Sequence, residues 1–76
     1  MSATLVHVDV VEKGRALITG PTFSGYVARR DNGQLYVEDT DTEEFVGWAR
    51  TYRQAGSLLA AHHHLTNPQL EVHYER

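Results

Sequence analysis

Five histidines are the side chains of this sequence best suited to chemistry near neutral pH, and three are adjacent: His62-His63-His64, with His7 and His73 elsewhere. Imidazole both ligates zinc and moves protons. Zinc ligands must converge on one point, as residues i and i+4 of a helix do. Three consecutive helical residues instead diverge by about 100° each, and no Asp or Glu stands at a ligand spacing beside the triplet. A pairing of His62 with His73 is the one metal geometry left. The reading adopted is that the chain holds no metal and no cofactor, and that the triplet sits favourably at a helix C-terminus. A corollary is assembly that changes with pH.

Other candidates for chemistry fare no better. Gly20-Pro21-Thr22-Phe23-Ser24-Gly25 matches the first half of a phosphate-binding loop, but Tyr26-Val27 follow where Lys-Ser/Thr and a helix are needed. Cysteine is absent, and no Gly-x-Ser-x-Gly elbow presents a serine. Asp39 with Asp41, or Glu43 with Glu44, would make paired carboxylates. A helix cap explains them without catalysis, since a general acid also needs apolar burial to raise its pKa. No enzyme activity is expected.

These residues need elements to position them. Residues 41–44, Asp41-Thr42-Glu43-Glu44, have the form of a capping box with acids in the first turn. After them Phe45, Ala49, Tyr52, Gly56, Leu59 and His63 recur every three or four residues, with Trp48 on the same stripe. The spacing predicts one long amphipathic helix over residues 42–64, stopped by Asn67-Pro68 with Asn67 in the left-handed cap conformation. Gly56 falls on the buried stripe, where it would let the backbone approach a sheet. Gly47 falls outside it and supports a rival parse, in which residues 44–49 form a strand and a shorter helix begins at Thr51, capped by Thr51 and Gln54.

Strands surround this helix. Residues 5–11 alternate, with Val6, Val8 and Val10 on one face. A Lys13-Gly14 turn leads to a strand at 16–19 that places Leu17 inward, opposite Val10. A third strand covers 23–30. Asn32-Gly33 favours a two-residue hairpin to a fourth strand at 35–39, setting Arg29 against Tyr36 and pointing Tyr26 and Ala28 inward. Leu70, Val72 and Tyr74 form the apolar face of a last strand, antiparallel to the first or at an open edge. The expected fold is α+β: a small antiparallel sheet, a four-strand meander plus a C-terminal strand, packed on one long helix in the order ββββαβ, as a single domain over 1–76.

The 76-residue chain has net charge −3 and no cysteine. Its core is small, so a homodimer is a natural source of further burial. No apolar run approaches the roughly 18 residues of a membrane span, and no signal-peptide layout opens the sequence. A cytoplasmic protein without membrane contact is expected. Charge is uneven: residues 1–30 sum to +2, residues 31–49 to −6 and residues 50–76 to +1. Gly25-Tyr26-Val27, followed later by Asp41-Thr42-Glu43-Glu44, loosely resembles the HicB-type antitoxin pattern. That family's Pro-Asp-Leu-Pro-Gly-like loop is missing and Phe45 stands at its alanine, so membership is not assigned.

The functional expectation is a non-catalytic regulatory or interaction protein, acting by protein–protein contact as a homodimer. Glu38, Asp39, Asp41, Glu43, Glu44 and Trp48 would face a partner with a basic surface. The alternative is a small nucleic-acid-binding protein using Arg15, Arg29, Arg30 and Tyr36 on the outer sheet face.

Overall fold

The computed structural model describes residues 4–75. Six strands and one helix follow in the order β1 (Leu5–Glu12), β2 (Arg15–Thr19), β3 (Ser24–Arg29), β4 (Leu35–Asp39), β5 (Phe45–Ala49), α1 (Tyr52–His62) and β6 (Gln69–Tyr74). They make one sheet, ordered β5-β4-β3-β2-β1-β6. β1 to β5 form an antiparallel meander, and β6 returns parallel to β1. The α+β class holds, while the sheet is mixed and has five strands before the helix.

The long helix is the main correction. Residues 45–49 extend as β5 beside β4, and the helix has 11 residues. The capping-box residues serve a turn instead. The Asp39 carboxylate accepts the N–H groups of Asp41 (2.9 Å) and Thr42 (3.3 Å), an Asx-type arrangement that competes for the same residues a helix start uses. The helix begins where the rival parse placed it. Thr51 Oγ1 accepts the Gln54 N–H at 3.0 Å, and Gln54 Oε1 accepts the Arg50 N–H at 2.8 Å. Its end is also displaced. His64, at φ 60°, takes the left-handed position, and Leu65 N–H donates to the Ala60 carbonyl at 2.9 Å, the Schellman closure expected of glycine.

Two registers differ from expectation by one residue. In the β3–β4 loop only Gly33 has positive φ, and Arg30 N–H donates to the Gln34 carbonyl. The loop is therefore Asp31-Asn32-Gly33, a three-residue hairpin. Ala28 then pairs with Tyr36 and Arg29 with Leu35. That shift turns Val27 inward and Tyr26 and Ala28 to the other face, as a one-residue slip must. In β1 a bulge between Val10 and Glu12 does the same, so Leu17 pairs with Asp9 and points outward.

The helix covers one face only. Val6, Val8, Val10, Ile18, Val27 and Val37 meet Leu59, Ala55 and Ala60 of α1 there. Gly56 behaves as expected: a Cβ on it would sit 2.7 Å from Val8 Cγ2 and 3.2 Å from Leu70 Cδ2. The helix approaches β1 and β6 closely because that side chain is missing. Among the described residues, no helix is long and apolar enough to cross a membrane.

Candidate functional site

The face of the sheet without a helix carries the exposed Phe45 and Trp48, while the exposed Tyr74 lies on the other face against Tyr52. Tyr36, Phe45 and Trp48 project from neighbouring strands, because Tyr36 pairs with Trp48 and Glu38 with Phe45. Their ring centroids lie 5.0 Å (Tyr36–Phe45), 5.5 Å (Phe45–Trp48) and 5.9 Å (Tyr36–Trp48) apart, the offset and edge geometries that aromatic quadrupoles favour. Phe45 remains 47% exposed and Trp48 43%. Leu17, 47% exposed, extends the apolar band across β2.

Arg30 completes this cluster, with its guanidinium carbon 4.5 Å from the centre of the Tyr36 ring. Tyr36 Oη donates to Glu38 Oε1 at 3.2 Å. Burial against its neighbours, then the hydrogen bond and charge of Glu38, push the Tyr36 phenol above its usual range, with Arg30 opposing. The sequence set Arg29, not Arg30, against Tyr36. The register shift puts Arg29 opposite the buried Leu35, on the helix side, where Nη1 donates to the Gly33 carbonyl at 2.7 Å.

The meander also sorts charge by end. Lys13 and Arg15 lie at the β1–β2 turn, Arg29 and Arg30 at the β3–β4 loop, and Arg50 and Arg53 where β5 passes into α1. Antiparallel pairing brings these three connections to the same end of the sheet. These six are all the lysines and arginines among the described residues. Two shallow depressions flank Arg30 there, one reaching Lys13, Arg15 and Tyr26, the other Tyr36 and Trp48. Two hydrogen bonds tie the connections together: Gly14 N–H donates to the Tyr52 side-chain Oη (2.9 Å), and Arg29 N–H donates to the Gly14 carbonyl (2.7 Å).

The expected acidic contact surface divides. Asp41, Glu43 and Glu44 are exposed in the β4–β5 turn at the opposite end, and Glu38 and Trp48 belong to the open face. Asp39, by contrast, is fully buried. Its Oδ2 lies 2.5 Å from His63 Nε2, and the His63 ring stacks on Phe23 at 4.6 Å. Burial opposes ionisation of Asp39. The hydrogen bonds from His63, Thr42 and Asp41 outweigh it and hold the carboxyl below its ordinary range. This pair clamps the end of α1 to the end of β4, and a 24-residue separation hid it from sequence spacing.

No known protein family, no characterised protein and no solved structure matches this chain. Function therefore rests on the surface itself.

Proposed function

We propose that the protein is a non-catalytic binding module that takes single-stranded nucleic acid on the basic and aromatic end of its open sheet face. The observation that carries this reading is the gathering of six lysines and arginines at one end, beside a ring cluster that includes Tyr36 and Trp48. Net charge −3 counts against nucleic acid only when charge is spread evenly. Here the acids of the β4–β5 turn lie at the far end. At the Arg15–Arg30 end the bases outnumber the acids Glu12 (paired with Arg15), Asp31 and Glu75, so a phosphate chain approaching that end meets an excess of positive charge. Aromatic rings accept bases of any sequence by stacking, and arginines follow the backbone.

Trp48 is the only tryptophan, so it reports directly on its own surface. Titrating single-stranded RNA and DNA oligonucleotides should quench its fluorescence, and affinity should fall as salt rises because counterions are released. Replacing Trp48 by Ala should weaken binding by about 1–3 kcal/mol, followed by anisotropy of a labelled oligonucleotide. Arg15→Glu with Arg30→Glu should abolish it. Absence of salt-dependent binding at low ionic strength would end this reading.

A second reading has its own observation. Phe45 and Trp48 lie half exposed on an edge strand, which suits contact with a protein surface or a second copy of this chain.

A further inference from the structure

At the other edge of the open face, β1 and β6 bring three ligating side chains together. Parallel register places His7 opposite Glu71, and His73 follows Glu71 by two residues on the same face. His7 Nδ1 and His73 Nε2 are 3.3 Å apart, Glu71 Oε1 and His73 Nε2 3.3 Å, and Glu71 Oε1 and His7 Nδ1 3.7 Å. We propose that His7, Glu71 and His73 form a binding site for one zinc-class divalent transition metal ion.

The argument is geometric. Ligands about 2.0–2.1 Å from a tetrahedral zinc ion are separated from one another by roughly 3.3–3.4 Å. Two of the three separations have that value and the third exceeds it by a few tenths of an ångström. The two imidazoles are also within hydrogen-bond reach of each other, and their rings stack at 5.5 Å. Two imidazoles and one carboxylate select zinc, nickel, copper or cobalt over calcium and magnesium, which prefer all-oxygen sites. The side chains are 41%, 42% and 48% exposed, so three protein ligands would leave coordination positions open to solvent. Asp9, the register partner of His73, lies on the same face beside them.

The second histidine cluster does not offer this. Asp39 Oδ2 and His63 Nε2, at 2.5 Å, are closer than two ligands of one ion stand, and His62 Nε2 is 4.0 Å from the same oxygen. Asp39 Oδ1 is already taken by two backbone N–H groups.

Metal-free protein, prepared by chelation and dialysis, is titrated with Zn²⁺ by calorimetry and with Co²⁺ by visible absorption. The expected result is one ion per chain, a tetrahedral-type cobalt spectrum, and a rise in melting temperature on adding Zn²⁺, because the ion joins β6 to β1. His73→Ala should lower affinity by roughly tenfold or more and remove the melting shift, while His62→Ala leaves both unchanged. Glu71→Gln changes one exposed side chain without altering its size and supplies an independent variant should His73→Ala fold poorly. Glu71→Gln should also weaken zinc binding; absence of zinc binding, or binding that His73→Ala and Glu71→Gln leave unchanged, overturns the proposal.

Discussion

The buried Asp39–His63 pair shows how one residue can join two elements. Asp39 is fully enclosed, and each hydrogen bond to its carboxylate comes from a different position: His63 on the helix cap, Asp41 and Thr42 in the turn. Replacing it by Ala removes the acceptor of all three and should destabilise the fold by about 1.5–3 kcal/mol or more, read by urea denaturation. Its lowered pKa also sets a sign. Between the native and unfolded values the unfolded chain binds more protons, so stability rises with pH there. The contribution is complete above the unfolded carboxylate value, near ~3.9, and is lost as pH falls through the native one. Asp39→Asn should flatten that acid limb; a limb unchanged in the variant would assign it to other carboxylates. None of this was legible in the sequence, where Asp39 read as one acid in a run of six.

At the scale of elements, alternation and turn chemistry found most of the strands, while loop length decided their faces. Gly33 takes positive φ and Asn32 does not, and that difference moves Tyr26 to the open face. The aromatic site was only partly legible for this reason: Tyr36 was placed outward, but Tyr26 and Leu17 were placed inward and Arg29 stood in for Arg30. Residues 45–49 satisfied a helical period by coincidence, and Gly47 marked the error. It pairs with Val37 in the sheet, and a Cβ there would lie 2.8 Å from Leu58 Cδ2. The helix itself offers two measurements. Leu59 is fully buried, and Leu59→Ala should cost about 2–5 kcal/mol. Gly56→Ala opposes intuition. Alanine improves helix propensity by about 1 kcal/mol, yet the new methyl would press on Val8 and Leu70. Overpacking of this kind costs about 1–3 kcal/mol, so thermal denaturation should show a net loss, and a gain would mean that α1 can lift from the sheet.

Across the whole molecule, the two sheet edges are unlike, and that asymmetry bears on assembly. β6 ends in an exposed Tyr74 but carries Glu71, with Glu75 beyond it, and charged side chains discourage a further strand from pairing. β5 is Phe45-Val46-Gly47-Trp48-Ala49, with no charge and two half-exposed aromatic rings. If copies of this chain associate, the β5 edge is where backbone pairing and aromatic burial coincide. Phe45→Lys places a charge on that edge at a position that is already exposed, so the fold should persist. Sedimentation velocity over a range of concentrations separates the outcomes. A concentration-dependent dimer of the 8.6 kDa chain that dissociates in Phe45→Lys would place the contact on β5. A dimer indifferent to the substitution would move it elsewhere. Because Trp48 and Phe45 also belong to the surface proposed for nucleic acid, a β5 dimer should be weakened by a saturating oligonucleotide, and the same sedimentation experiment reads that competition.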